Sequence, residues 1–196
     1  MSSCVAAGFV QLNAAADSYL TLSPQLPLQQ LSFTVMSLVK LTSAASSGSL
    51  LTQSSAANNF LDFSFSAQTR SLHVSFAANA PTLAASLPAE LNLTASWHLW
   101  ALTFDCVWAP TATDCLAGTR CLYFDGQQLA CDSSASYAGP PAHSPHVATT
   151  IGRGLGVQID EFRLYLRALT ACEIASLVDS SPLQLLDEGL LERSEE

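Results

Sequence analysis

The sequence predicts an all-β chain: two antiparallel sheets packed as a sandwich, with a short helical turn near the C-terminus. Three observations predict it. Apolar and polar residues alternate with a period of two along most of the chain, as strands with one buried face require. Asp125-Gly126 sits between two apolar runs, the strongest short-range hairpin signal, because both central turn residues need positive φ. Helical spacing appears only toward the C-terminal end. Many short strands with turn punctuation argue for a sandwich.

The elements follow in order. Phe33, Val35, Val39 and Leu41 alternate with Ser32, Thr34 and Lys40, and the Ser/Ala/Gly stretch 43–49 then reads as a surface loop. Leu61, Phe63 and Phe65 alternate with Asp62, Ser64 and Ser66. After the polar turn Gln68-Thr69-Arg70, Leu72, Val74 and Phe76 alternate with Ser71, His73 and Ser75. These two runs predict a hairpin with one apolar and one polar face. Trp97 to Phe104 is apolar on both faces, so it reads as a central strand covered on both sides. Trp97 and Trp100 are three apart and cannot share a face; both are expected in the core. Cys121 to Cys131 holds the Asp-Gly hairpin. The Ser/Ala/Gly/Pro-rich stretch 133–145 reads as a long loop. Ile151-Gly152-Arg153 begins another strand, which ends in a bend at Gly154 and Gly156. The last strand spans 159–166, and Thr170 with Glu173 forms a capping box for one helical turn. Residues 1–178 form one domain on this reading. Residues 179–196 are an acidic tail or linker.

Composition excludes several function classes. Hydrophobic residues make up 49% of the 196 and charged residues 12%, enough to bury a sizeable core. Lys40 is the only lysine and the net charge is -9, so the basic stripe needed for nucleic acid is missing. No apolar run approaches a membrane span, and no membrane insertion is expected. Met1-Ser2-Ser3-Cys4 has neither a basic n-region nor an apolar core, so no signal peptide is expected there.

Six cysteines, four of them between Cys106 and Cys131, predict a disulfide framework and an oxidising compartment. Six reduced core cysteines in a cytosolic protein are the alternative. Cys106 and Cys115 flank a loop, and Cys121 and Cys131 flank a turn; these are the two expected pairs. The set Cys106–Cys121 with Cys115–Cys131 remains open. Asn92-Leu93-Thr94 is a glycosylation sequon at Asn92.

Few residues offer chemistry. Asp105, Asp114 and Asp132 lie near loops in one sequence region and are the candidate metal ligands, with calcium as the cation such oxygens would take. Asp125 is accounted for by its turn. Trp108, between Cys106 and Cys115, is the candidate exposed aromatic for ligand binding. His143 and His146 fall in a Pro-rich loop without further ligands, and His98 reads as a packed strand residue. Asp160 alternates with Phe162 and Leu164, so it is placed on the core face, as an acceptor for backbone N–H groups of the closing turn. Glu161 and Arg163 are expected to pair on the opposite face.

Six segments together resemble the laminin G-like, concanavalin A-type jelly rolls, a family that includes pentraxin-like domains. They are Asp17-Ser18-Tyr19-Leu20-Thr21-Leu22, Leu31-Ser32-Phe33-Thr34-Val35, Trp97-His98-Leu99-Trp100-Ala101-Leu102-Thr103, Leu122-Tyr123-Phe124-Asp125-Gly126, Ile151-Gly152-Arg153 and the run from Ile159 to Ile174. The resemblance covers about Gly8 to Leu177. It departs where Met36-Ser37-Leu38 replaces the family's tryptophan. It implies a two-sheet jelly roll whose first and last strands adjoin, and from that adjacency a Cys4–Cys172 bridge. It implies calcium at the rim in some members. It also implies recognition of a glycan or protein through rim loops, here 43–59, 105–120 and 132–147, or through the concave sheet.

Glycosidases on this jelly roll carry carboxylates on alternate positions of one strand. No such cluster occurs here, nor any nucleophile elbow or phosphate loop, so enzyme activity is not expected. The reading is a non-catalytic binding or adhesion module, extracellular or at the cell surface, without a cofactor. The alternatives are a structural subunit packed against neighbours, including in a cytosolic or ciliary assembly, and, further off, a glycoside hydrolase.

Overall fold

The computed structural model describes residues 9–14, 18–22, 28, 31–55, 59–76, 81–107, 117–135 and 148–179. The tail 183–196, Cys4, Trp108, Asp114, Cys115, His143 and His146 lie outside these residues.

Two strands without a polar face set the architecture. β3 (Phe33–Leu41) and β8 (His98–Val107) are buried on both faces over most of their length. They pair antiparallel from Phe33 opposite Phe104 to Val39 opposite His98. Strands apolar on both sides must be covered on both sides. Around them the first sheet adds β1 (Val10–Leu12) and β12 (Val157–Tyr165) on one flank, and β9 (Ala117–Phe124) and β10 (Gln127–Ala135) on the other, in the order β1-β12-β3-β8-β9-β10. The second sheet contains β2 (Leu20–Leu22), β11 (Ala148–Arg153), β4 (Gly48–Ser54), β5 (Asn59–Ser66), β6 (Ser71–Phe76) and β7 (Leu83–Ser86), in the order β2-β11-β4-β5-β6-β7. All pairings are antiparallel.

Period-two alternation fills the space between the sheets. Phe33 and Phe104 from the first sheet meet Phe76 from the second, with ring centroids 5.7, 6.5 and 4.9 Å apart, the closest pair edge to face. Phe65 lies against Trp100 at 5.4 Å. Each fully buried ring contributes about 2–3 kcal/mol by area, and aromatic pairs add about 1 kcal/mol.

The other side of β3 and β8 is closed by the C-terminal segment. Met36, Leu38, Leu99, Ala101 and Tyr123 form a second apolar layer with Leu169 and Ile174. The expected helical turn is a nine-residue helix, α1 (Ala171–Asp179). It runs on because Ile174, Leu177 and Val178, at i, i+3 and i+4, reach that layer. The capping box forms: the Thr170 N–H donates to Glu173 Oε2 at 2.8 Å, and the Glu173 N–H donates to Thr170 Oγ1 at 3.3 Å. Thr34 fixes the approach, accepting the Leu169 N–H at 2.8 Å and donating to the Arg167 carbonyl at 2.9 Å. The Asp125-Gly126 turn has positive φ at both residues, 47° and 78°. A Cβ on Gly126 would lie 3.1 Å from Ala175 Cα and Val178, so the turn's glycine also makes room for the helix. Trp100 is in the core, whereas Trp97 is half-buried at the second layer, edge-on to Phe9.

Two expectations need correction. Asp160 is not on the core face. A β-bulge between Asp160 and Arg163 shifts the register, so Asp160 pairs with Leu38 of the outer layer while Phe162 and Leu164 still pack on the inner core. The bulge places Glu161 at φ 48°. Asp160 Oδ1 accepts the Glu161 N–H at 2.8 Å, Ser37 donates to the Asp160 carbonyl, and Arg163 pairs with Glu161 at 2.5 Å. The Cys4–Cys172 pairing is not made: Cys172 is free and exposed. β1 does adjoin β12, but at Val10 opposite Ile159, whereas Cys172 comes later, in the first turn of α1.

Two outcomes are expected. Phe104→Ala lowers unfolding stability by about 3–5 kcal/mol in urea, the cost of a cavity between the sheets. The second concerns pH. Arg167 beside Glu173, with the N–H and hydroxyl of Thr170, holds that carboxyl down from 4.5 to about 2. A depressed folded-state value stabilises above the unfolded value and is lost as pH falls through the folded one. Glu173→Gln is therefore less stable than the parent protein at neutral pH. In denaturation midpoints measured across the acid range, that gap closes as pH drops from 4.5 to about 2.

Candidate functional site

With α1 over the first sheet, the outer face of the second sheet carries the polar half of the alternation. Leu51, Leu61, Phe63, Phe65, Leu72 and Val74 face the core. The intervening residues form cross-strand rows. One row runs Thr21, Thr150, Thr52, Asp62 and Ser75, across β2, β11, β4, β5 and β6. The next runs Arg153, Ser49, Ser64, His73 and Ala84. Hydroxyls, one carboxylate, an imidazole and a guanidinium are thus held on a rigid sheet at strand intervals of about 4.8 Å, the scale of a sugar ring.

Hydrogen bonds order the rows. Thr52 and Thr150 are buried and share a hydrogen bond between hydroxyls at 2.6 Å, while Asp62, Ser64, His73 and Ser75 are partly exposed. Ser64 donates to Asp62 Oδ2 at 2.9 Å, while Asp62 Oδ1 has no partner and is shielded from solvent. At the β5–β6 turn, the Ser71 hydroxyl lies 2.7 Å from His73 Nε2 and 2.6 Å from the Thr69 hydroxyl. Among the described residues of these rows Asp62 is the only carboxyl group, so they do not offer the carboxyl pair that glycoside hydrolysis uses.

The expected site residues lie elsewhere. Asp105 is exposed at the end of β8 and accepts the Ser32 hydroxyl at 3.1 Å. Asp132 accepts from Arg120 at 2.9 Å. Among the described residues, no three His, Cys, Asp or Glu side chains converge as a metal site would require. Asn92 is exposed in a turn, with Oδ1 accepting from the Thr94 N–H and hydroxyl at 3.2 and 2.8 Å. It borders a small pocket with Arg70, Phe65 and Leu93. A disulfide joins Cys121 to Cys131, directly opposite each other on β9 and β10. Cys106 is also disulfide-bonded; its expected partner, Cys115, lies outside the described residues. Of the expected rim loops 43–59, 105–120 and 132–147, the described residues are mostly strand: β4 takes Gly48–Ser54, β5 starts at Asn59, β8 runs to Val107, β9 starts at Ala117 and β10 runs to Ala135. His98 is packed as expected, stacked on Phe124, with Nδ1 2.8 Å from Asp125 Oδ2. The second Asp125 oxygen accepts the Leu99 N–H, so this turn aspartate also fastens the start of β8.

Sequence reasoning missed Arg120. It is 2% exposed, opposite Phe104 on the inner face. Its guanidinium lies over the Phe76 ring and donates to the Val74 and Pro81 carbonyls and to Asp132. It therefore ties the first sheet to the β6–β7 end of the second. An arginine within the apolar stretch Arg120 to Phe124 was the available signal. Arg120→Met removes the donors to the Val74 and Pro81 carbonyls and to Asp132. A loss of about 1–3 kcal/mol is expected in guanidinium unfolding, from the buried carbonyls left without their donor.

Tyr123 and the cations complete the electrostatics. Burial pushes the Tyr123 hydroxyl above 10, partly offset by its hydrogen bond to Thr103. Arg70, Arg120, Arg163 and Arg167 are each committed to carbonyls or carboxylates within the fold.

Two six-stranded antiparallel sheets packed face to face make this a lectin-like jelly roll. Residues 14–175 match the laminin G type 3 model of the concanavalin A-like lectin/glucanases superfamily, and the chain belongs to that family. Among solved structures it is similar to the carbohydrate-binding module (CBM40) of the Ruminococcus gnavus IT-sialidase bound to α2,3-sialyllactose. That match has a TM-score of 0.63 and 14% identity, and covers 87% of this chain and 96% of that one. A heptameric SAP-like pentraxin from Limulus polyphemus matches with a TM-score of 0.57 and 13% identity, over 86% of this chain and 80% of that one. Trypanosoma rangeli sialidase matches with a TM-score of 0.57 and 18% identity; 87% of this chain covers 27% of that one. A sequence search among curated proteins finds no significant match.

Proposed function

We propose that the chain is a non-catalytic glycan-binding module of a secreted or cell-surface protein, and that the outer face of the second sheet is its binding surface. The observation that carries this reading is the polar face of β5 and β6, where Asp62, Ser64, His73 and Ser75 are partly exposed hydrogen-bonding groups in cross-strand register, with Thr21 exposed beyond the buried Thr52–Thr150 pair. Such a surface recognises hydroxyl-rich ligands by hydrogen bonds. It also lacks, among the described residues, a second carboxyl group for hydrolysis. A sialyllactose-bound carbohydrate-binding module among the structural neighbours supports the reading by analogy of fold. The Cys121–Cys131 disulfide supports an oxidising compartment. No helix among the described residues is long and apolar enough to cross a membrane.

On an immobilised glycan array the protein is expected to bind a defined subset of glycans. Ser75→Arg, which places a bulky cation on the row, abolishes that binding. Val107→Ser, on the first sheet, retains it. Failure of the parent protein to bind any glycan counts against the reading.

One observation favours assembly as a second reading. Among the described strands β1 and β2 each form one edge of their sheet, as β10 and β7 form the other, and Phe9, Val10, Tyr19 and Leu20 beside or on β1 and β2 are exposed by 39–50%. Apolar side chains beside open edge strands are typical of surfaces that meet another chain. On this reading, light scattering shows an oligomer, and Phe9→Ser with Tyr19→Ser dissociates it.

A further inference from the structure

We infer that the outer face of the second sheet selects neutral sugars over anionic ones, with Asp62 as the anchoring acceptor; this deepens and rests on the glycan-binding reading above. The first support is the composition of the row. Asp62 is its single ionisable group, and its cross-strand neighbours Thr52 and Ser75 carry hydroxyls. A carboxylate only accepts hydrogen bonds when ionised, so it pairs with sugar hydroxyls and repels a sugar carboxylate or sulfate.

The second support is the inequality of its two oxygens. Oδ2 holds the Ser64 hydroxyl, whereas Oδ1 is shielded and has no donor. A carboxylate oxygen withdrawn from water without a partner is costly, and a ligand hydroxyl that reaches it restores what was lost. Ser75, opposite Asp62 on β6, is short and half-buried, and a rotamer change there needs no backbone movement, whereas Thr52 is buried and held by Thr150.

The third support is the distribution of cations. An anionic sugar needs a guanidinium or ammonium to replace its water. Arg70, Arg120, Arg163 and Arg167 are engaged within the fold. Arg153 is the one cation in the described outer rows of the second sheet. It stands exposed on β11 in the neighbouring row, two strands across and two residues along, and so about 12 Å from Asp62. The net charge of -9 adds long-range repulsion of anions.

The test uses matched probes on the full chain: lactose and other neutral oligosaccharides against their sialylated and sulfated counterparts, each at low and high salt. Binding of the neutral members is expected, insensitive to salt. Asp62→Asn is expected to weaken it about tenfold or more, the weight of one hydrogen bond to a charged acceptor, with an unchanged thermal midpoint. Preference for the sialylated or sulfated member overturns the inference but leaves the glycan-binding reading intact. Full neutral binding by a folded Asp62→Asn protein overturns it too. If no probe binds, the glycan-binding reading fails and takes this one with it. Should Asp62→Asn not fold, the matched-probe comparison on the parent protein decides alone.

Discussion

β3 and β8 have no face that tolerates water, and the rest of the molecule is arranged around that constraint. Phe33, Val35, Trp100, Leu102 and Phe104 are buried on one side, Met36, Leu38, Leu99 and Ala101 on the other. The second sheet covers the first side. The second side faces outward, where a jelly roll has no third sheet to offer. The C-terminal segment closes it: Thr34 grips the chain at residues 167–169, the capping box starts α1, and Ile174 seals the layer. Apolar burial drives both closures, and the hydrogen bonds decide where each begins.

This asymmetry separates the two outer faces. The first sheet's outer face is committed to holding α1. Among the described residues that of the second sheet has no comparable apolar layer, and β4, β5, β6 and β11 carry hydroxyls and a carboxylate there, with Thr52 and Thr150 buried and Asp62, Ser64 and Ser75 partly exposed. The neighbouring strands hold these groups in fixed register, so their spacing does not depend on loop conformation. Arg120 has a matching role inside, since its contacts with Asp132, Val74 and Pro81 fix the distance between the sheets where β6 and β7 end.

How much of this was legible in the sequence depended on the range of the interaction. The β5–β6 hairpin, the Asp125-Gly126 turn and the capping box are local, and alternation or a two-residue signature reveals them. The bulge at Glu161 was not legible: a single extra residue reverses the parity of every side chain beyond it, so Asp160 was placed on the wrong face. Long-range register was hidden as well. Thr52 and Thr150 are 98 residues apart, and nothing in either segment says that their hydroxyls meet. The polar face was therefore visible on β5 and β6 one strand at a time. The acidic residues near loops are the more visible signal, although Asp132 is used by Arg120 and Asp105 by Ser32.

The same distinction governs what family membership says about function. Positions under geometric demand are the ones that resemble the family: Gly126, whose turn adjoins α1, Gly152, where a Cβ would strike Leu12, and the Trp97-to-Thr103 strand, most of which is buried. These residues hold a sandwich together whatever it binds. Outer-face residues are under no such demand, since a hydroxyl, an amide or a guanidinium fits there equally well. A structural neighbour at 14% identity therefore transfers the scaffold and not its ligand. The proposed glycan selectivity therefore rests on the groups of the second sheet's outer face. Near Asp62 those are hydrogen-bonding oxygens beside one negative charge, with the nearest described cation of that face two strands away.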